Sequence, residues 1–525
     1  MTIPAIRTLG ALIEARALDR PAAPALTYGG QTHSFAAIRA QTLAVARGLR
    51  ALGVRPGDRA GLLLGNSTEW IVANFAIQYL GGTMVALNSW YTDSELSYVV
   101  EHADISVLLF NDRILRTDYV AMLDRLKPLD RAFPRLRHLV QLGGTPMDGA
   151  LGWEAFLATG DAVPEAAVLA ELDQVQPGDI AYQLYTSGST ARPKGVLLMH
   201  GHLLENTWEI GRRMHFGPED VVYMPLSLFW GMGCMNMLLG PWQHGAHIVL
   251  QHQFNADEGL DLIARHRCTV LAGTPNIIHA IFKHPRASDH DLSSMRKGTP
   301  IGTPDTSREI ITTAMPEGVR CYGLTETHGF CNVNDGSDPL DKRCTTEGRA
   351  MDGWQVRIAD PDTGRSLPPG ELGEIRLKGR LMAGYYKNPQ ATAAAYDDDG
   401  WFCTGDLGFL DDQGYLSFKG RFKEMLKTGG INVAPAEVEE VLLTLPALED
   451  AYVTGLPDPV QGEIVAAVLV LRPGCALTED EVAEFCRARL AAYKRPRRMR
   501  FVSAAQVPLT ATGKLHRQRL PELFA

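Results

Sequence analysis

Short apolar runs that break off at glycine, threonine or serine recur along the chain: DIAYQLYTSGST, HIVLQ, CTVLAGTP and VRCYGLTE. Runs of this length bounded by turn formers read as strands. Between them lie stretches with helical spacing, such as TSREIITTAMPEG. Strands alternating with helices predict an α/β protein with largely parallel sheets, in which ligands gather where strand C-terminal ends meet loops. Residues 127–178, rich in proline, glycine and alanine, read as a variable connection.

The pattern changes after residue 395, where DDDGW, TGDLG and DDQG are turn signals spaced by short strand-like runs. Hairpins are the expected result. In the following stretch, GRFKEMLKTGGINVAPAEVEEVLLTLP, Pro435 suits the first turn of a helix. Val438, Val441, Leu442 and Leu445 mark one apolar face of that helix. The remaining helix-and-strand alternation can stand as a small α+β domain, with its boundary near Arg421–Lys423. The expected division is therefore a large domain over residues 1–421 and a small one over 422–525.

Length supports more than one domain, since 525 residues exceed what one core organises. With 45% hydrophobic and 21% charged residues, the composition is that of an ordinary soluble protein. A net charge of −9 argues against a nucleic-acid partner, yet leaves room for a small anionic ligand held by a few local cations. The eight cysteines are scattered without a C-x-x-C pair, which suits buried free thiols in a reducing cytoplasm. The longest clean apolar run near the C-terminus, Ile464 to Leu471, falls far short of the roughly 20 residues of a membrane helix. A cytoplasmic protein with no integral membrane association is expected, and its oligomeric state, monomer or homodimer, stays open.

One loop stands out chemically. YTSGSTARPKG, from Tyr185 to Gly195, has the hydroxyls, glycines and lysine of a phosphate-holding loop. It is not a P-loop: counted from Gly188, Pro193 and Gly195 stand where G-x-x-x-x-G-K-[ST] needs glycine and a hydroxyl, and only Lys194 fits. By composition alone a serine/glycine surface loop is the commoner outcome. Asp397, Asp398 and Asp399 lack a glutamate at EF-hand spacing and read as a solvated turn. The basic run YKRPRRMRF reads as a solvated turn and strand.

Five stretches in order, YTSGSTARPKG, YGLTET, GWFCTGDLG, GRFKEMLKTGGINVAPAEVE and PLTATGKLHR, make nearly the whole chain resemble the adenylate-forming superfamily, and within it most nearly the acyl-CoA synthetases. The resemblance implies a large N-terminal domain of helix-flanked β-sheets with a small β-barrel-like part, and a small mobile α+β C-terminal domain. It implies ATP and Mg2+, with CoA as co-substrate. Thr186, Ser187, Gly188, Ser189, Thr190 and Lys194 would hold the β- and γ-phosphates, although Ala191 stands where the family has glycine. Tyr322 would stack on adenine, Gly323 would border the nucleotide, Thr325 would approach the α-phosphate, and Glu326 would hold the magnesium. Gly302, Thr303 and Pro304 resemble the turn bordering adenine and the acyl pocket. Asp406 would accept from both ribose hydroxyls with Arg421 as companion, and Lys514 would be the adenylation lysine. Lys423 matches a hinge, about which the face of Lys427, Gly429 and Gly430 would arrive for the second half-reaction.

The acyl pocket falls on Leu228, Phe229, Trp230 and Gly231, with His328 as the nearby polar candidate, itself compatible with a structural role. No aspartate stands at this stretch to pair with a substrate ammonium, so a carboxylic acid with an uncharged tail, aliphatic or aryl, is implied. Many CoA-forming relatives carry histidine where this chain has Leu228. Two acceptors therefore stay open: CoA in an acid–thiol ligase, or an amine or carrier protein in an adenylating amide ligase. A non-catalytic adenylate-binding sensor is disfavoured by the joint presence of Lys514, Glu326 and Asp406.

Overall fold

Continuous apolar runs become buried parallel strands. The computed structural model describes residues 6–186, 193–271, 273–300, 304–428, 431–433, 435–458, 462–490, 492–509 and 515–525. Two compact units emerge, Met1–Gln355 with Lys378–Phe402, and Val356–Leu377 with Cys403–Ala525.

The first unit holds two large sheets. Strand Ile105–Asn111 is buried at every position but the last, as a parallel strand covered on both faces requires. It lies between Arg59–Leu63 and His138–Leu142 in an eight-stranded sheet, parallel to both. In the same sheet Ile180–Thr186 runs parallel to Thr83–Ala86, then the chain doubles back as Lys194–Met199. Gly384–Tyr385 adds antiparallel to that returning strand.

The six-stranded sheet aligns Val221–Met224, His247–Leu250, Val270–Leu271 and Lys297–Gly298 in parallel. A hairpin from the start of the chain completes it. Pro24–Tyr28 pairs in parallel with His247–Leu250 and antiparallel with Gln31–Ser34. Gly29 and Gly30 turn that hairpin at φ of 56° and 80°, the left-handed pair that a two-residue turn needs. Helix Thr68–Tyr79 is buried everywhere except Glu69, which marks it as a core helix, and its buried amides Asn74 and Gln78 donate to the Tyr182 hydroxyl and the Ala181 carbonyl. Phe75 on this helix stacks on Trp242 at 5.5 Å.

The stretch 127–178 is more than a connection. His138–Leu142 and Ala150–Gly152 are the last two strands of the eight-stranded sheet, and Phe133, Leu139 and Met147 join Phe110 in its core. The run HLVQL was hidden by the turn formers around it. Those glycines belong to the tight turn at Gly143–Gly144, where added side chains would strike Asp112.

The second unit holds nearly all of a four-stranded sheet, Gln355–Ala359, Gly373–Lys378, Phe402–Leu410 and Leu416–Arg421, of which only the end residues Gln355, Lys378 and Phe402 are assigned to the first unit. The last two form the hairpin that DDQG predicts: Asp411 Oδ1 accepts from the backbone N–H of Gln413 and Tyr415. Beyond it, residues from Leu426 to Leu490 share a separate core that includes Val433, Val438, Leu442, Val453 and Val465. Helix Pro435–Leu442 buries Val438 and Leu442, while Val441 and Leu445 pack at the margin. The apolar run Ile464–Leu471 lies in strand Gly462–Leu471, flanked by Leu448–Asp458 and Arg498–Val502. The boundary expected near Arg421–Lys423 lies inside this unit, between the sheet of four and that C-terminal core. Among the described residues no helix is long and apolar enough to cross a membrane.

Candidate active site

The hairpin Ile180–Thr186/Lys194–Met199 places Thr186 and Lys194 opposite each other in register. Ser187, Gly188, Ser189, Thr190 and Ala191 lie outside the described residues. The base of the loop is braced by aromatic side chains. Tyr98 donates its hydroxyl to the Pro193 carbonyl at 3.2 Å, and the Tyr185 hydroxyl lies 2.7 Å from His102 Nδ1.

Lys194 Nζ sits 4.7 Å from the centre of the Tyr385 ring, within reach of the ring's negative face. The Tyr385 hydroxyl donates to Glu326 Oε1 at 2.9 Å. Burial, then the charge of Glu326 and the bond to it, push the Tyr385 phenol well above its ordinary range, so it stays protonated and a donor. Strand pairing fixes the tyrosine, since Tyr386 N–H donates to the Gly195 carbonyl at 2.8 Å and Ala383 N–H to Leu197 at 2.9 Å. Met382 N–H reaches the Glu326 carbonyl at 2.8 Å. The short segment 382–386 thus ties the loop hairpin to the turn bearing Glu326.

That turn, YGLTET, joins strand Cys321–Leu324 to strand Gly329–Val333. Gly323 is required by close approach: a Cβ there would stand 2.2 Å from the Gly329 carbonyl oxygen. Thr327 Oγ1 accepts from Leu324 N–H at 2.8 Å and lies 2.6 Å from the Gly329 carbonyl. Asn206, buried in helix His200–Arg213, clamps the outer side. Its amide donates to the Phe330 carbonyl at 2.7 Å and the His328 carbonyl at 3.1 Å, while its oxygen accepts from Trp354 Nε1 at 2.7 Å. Tyr322 is 7% exposed, and Thr325 and Glu326 are partly exposed.

His328 takes the structural role. It is fully buried, Nε2 accepts from Met199 N–H at 3.1 Å, and Nδ1 bonds the Arg380 carbonyl at 2.8 Å. With both nitrogens used by the backbone, it has none to offer an acyl chain. Burial, reinforced by His202 nearby, pushes its pKa down to about 3.

Leu228, Phe229, Trp230 and Gly231 follow the C-terminal end of strand Val221–Met224. Leu228 is buried, and its backbone N–H donates to Asn66 Oδ1 at 2.8 Å. The Asn66 amide holds the Leu226 and Gln251 carbonyls, each at 2.9 Å. Phe229 and Trp230 meet a third ring, Trp90, edge-on at 5.2 Å and 5.3 Å. Trp90 itself follows the C-terminal end of strand Thr83–Ala86, so two loops at strand ends build one aromatic wall. A single-turn π-helix, Met232–Met237, follows immediately.

In the second unit Asp406 and Arg421 are cross-strand partners, with Arg421 Nε 3.2 Å from the carboxylate. Asp406 is 2% exposed, and its backbone N–H donates to Thr404 Oγ1 at 3.0 Å. Lys423 lies in the turn Phe422–Glu424 and Lys427 in strand Leu426–Thr428. Pro304 opens helix Pro304–Thr313. Gly302, Thr303, Gly429, Gly430 and Lys514 lie outside the described residues. A bridge between Leu509 and Leu515 flanks the last of these segments, and Arg517 bonds the Val453 carbonyl at 2.7 Å.

The profile of the AMP-binding enzyme family matches residues 13–386, and that of the AMP-binding enzyme C-terminal domain matches residues 437–514. The chain belongs to the AMP-binding enzymes. It is similar to a (7a-methyl-1,5-dioxo-octahydro-1H-inden-4-yl)propanoyl:CoA ligase of Mycobacterium tuberculosis, 35% identical over 99% of both chains. Among solved structures, ATP-bound MatB of Rhodopseudomonas palustris superposes with a TM-score of 0.85 at 28% identity, over 99% of each chain. The amide bond synthetase McbA of Marinactinospora thermotolerans gives 0.84 at 26%, over 98% of this chain and 100% of its own. In this AMP-binding enzyme, Tyr385, Trp90, Asn206 and Trp354 touch or brace the expected site residues although the motifs do not mark them. Nothing in the motifs singles out Trp90; its place becomes visible only once strand Thr83–Ala86 is laid in the sheet.

Proposed function

We propose that this AMP-binding enzyme activates a carboxylic acid with an uncharged tail as its acyl-adenylate and passes the acyl group to CoA. In the first half-reaction a carboxylate oxygen attacks the α-phosphorus of ATP, the α–β P–O bond breaks, and pyrophosphate leaves. In the second, the CoA sulfur, its proton given up, attacks the acyl carbonyl and AMP departs. The observation that carries the adenylation is the meeting of Lys194 and Glu326 on one tyrosine at the mouth of the hydroxyl-rich loop.

Thr186, Lys194 and the loop Ser187 to Thr190 bind the outer phosphates; Tyr322, Gly323 and Pro304 with Gly302 and Thr303 border the nucleotide. Asp406, steadied by Arg421, accepts from the ribose. Thr325 positions the α-phosphate, and Lys514 stabilises charge that builds as the carboxylate attacks. Glu326 suits a magnesium ion, which when bound neutralises charge on the departing pyrophosphate. Among the described residues no three His, Cys, Asp or Glu side chains converge, so further metal ligands would be phosphate oxygens and water, as magnesium prefers. For the second half-reaction, Lys423 serves as pivot and Lys427, Gly429 and Gly430 border the thiol's path.

The aromatic wall of Trp90, Phe229 and Trp230 favours a hydrophobic aliphatic or aryl acid. CoA as acceptor is supported by the CoA ligase among the relatives. An amine acceptor is the second reading, favoured by buried Leu228 in place of a histidine and by the likeness to an amide bond synthetase.

A mass-spectrometric competition tests both. The protein receives ATP, Mg2+, a panel of aliphatic and aryl acids, CoA and mixed amino acids. Acyl-CoA as product upholds the first reading; acyl amides with CoA left free uphold the second. AMP with neither product points to a carrier protein, and absence of AMP with every acid overturns the adenylation itself.

A further inference from the structure

We infer that Tyr385 is a positioning residue that sets the phosphate-binding lysine and the metal-binding carboxylate of the adenylation site relative to one another. The inference rests on the roles proposed above for Lys194 and Glu326.

The two charged groups come from distant parts of the chain and from different elements, a strand start and a 3-10 turn. Tyr385 touches both with different parts of one side chain. Its ring face lies 4.7 Å from Lys194 Nζ, and its hydroxyl donates to Glu326 Oε1 at 2.9 Å. A contact through the ring leaves the three ammonium N–H donors of Lys194 available for phosphate oxygens. A donor on Oε1 fixes the carboxylate plane while its other oxygen can face a cation. Outer partners of this kind orient a metal-binding carboxylate.

The tyrosine is itself held rigidly. Its strand is paired with the strand that Lys194 begins, Val196 opposite Tyr385. Its own N–H donates to Thr392 Oγ1 at 2.9 Å, and three residues earlier the backbone bonds the Glu326 carbonyl. The separation of lysine and carboxylate is therefore set by backbone pairing and transmitted by one stiff side chain with few rotamers. A protonated phenol is also an uncharged spacer: it keeps Lys194 from collapsing into a direct ion pair with Glu326, which would consume both charges.

The test uses the whole chain and the conservative variant Tyr385→Phe, which keeps the ring under Lys194 and removes only the donor to Glu326. Mn2+ binding is read by electron paramagnetic resonance in the presence of α,β-methylene-ATP, whose α–β linkage is not cleaved and which cannot donate its adenylyl group. The expected result is about tenfold weaker Mn2+ binding in Y385F, with nucleotide affinity in the absence of metal unchanged. Adenylation should fall at low Mg2+ and recover at high Mg2+, while thioester formation from preformed acyl-AMP is unaltered. In Tyr385→Leu, which also removes the ring, metal-free nucleotide binding should weaken as well. Superimposable Mn2+ titrations of wild type and Y385F overturn the inference alone. Equal loss of both half-reactions in Y385F overturns it too, because that is the mark of a merely structural residue. A wild-type protein that binds no Mn2+ with the nucleotide overturns it together with the proposed role of Glu326.

Discussion

Asn206 carries a disproportionate share of the turn that presents Glu326, and replacing it with alanine is a demanding test of this architecture. The side chain is fully buried and uses its amide on the Phe330, His328 and, more weakly, Thr327 carbonyls and its oxygen on the Trp354 indole. Alanine strands all four partners away from water. A buried polar group left unsatisfied costs about 1–3 kcal/mol. The indole N–H has no second hydrogen to use, whereas each carbonyl has a second lone pair, so the indole pays most and the carbonyls less. A total of roughly 3 kcal/mol is expected, a large share of the net stability of a domain. With a urea dependence of about 3 kcal/mol per molar, the unfolding midpoint of the first unit should fall by about 1 M. Tryptophan fluorescence follows that transition, and pyrophosphate release is measured in the cold, where the variant is still folded. Adenylation should drop even there, because the turn no longer holds Glu326 against Tyr385. A midpoint within about 0.2 M of wild type would refute the reasoning, since it would mean that water or relaxation replaces these bonds at no cost.

Other consequences are open to direct measurement. Lys514→Ala should lower acyl-AMP formation by about two to three orders of magnitude and spare transfer from preformed acyl-AMP; equal loss of both steps would remove Lys514 from its role. Trp90→Ala should shift preference toward longer or bulkier acids, with kcat/KM ratios changing by about ten- to a hundredfold across a chain-length series, and an unchanged profile would place Trp90 outside the pocket. His328 and His200 have pKa values pushed down to about 3, and His247 to about 4, chiefly by burial, against an ordinary value of 6.5. Below that value the unfolded chain takes up protons that the folded one refuses. Stability present above pH 6.5 is thus lost as pH falls toward 4, by up to about 1.4 kcal/mol per pH unit for each histidine. Urea midpoints at pH 7 and pH 5 measure this, and His247→Gln should flatten the dependence.

Much of this was readable in advance because it is local. A loop rich in hydroxyls, a T-E-T turn or a T-G-D strand carries its chemistry in consecutive residues, and apolar runs such as Ile105–Asn111 betray a parallel sheet by length and continuity. What was not readable depends on pairing across the chain. Asn206 looks like any polar residue on an amphipathic helix until the helix is laid against a turn more than a hundred residues later. Tyr385 becomes meaningful only when its strand is paired beside Lys194. His328 directly follows the motif YGLTET, yet serves the backbone, because nothing local distinguishes a satisfied histidine from an available one. The strand His138–Leu142 was masked by neighbours whose turn-forming character was real.

The hairpin at the start of the chain has a cost in time. Thr27 bonds His247 across 220 residues, so the strand Pro24–Tyr28 leaves the ribosome long before the strand it must lie beside. At roughly 5–20 residues per second the wait is on the order of ten to forty seconds. During it the nascent chain carries an apolar strand with one edge covered by its own hairpin partner and the other bare, and a hairpin alone is marginal in water. Synthesis of this enzyme therefore includes an interval in which a strand edge destined for the interior of the sheet is bare and sticky, and chaperone occupancy of this hairpin is where slow or crowded expression would be decided.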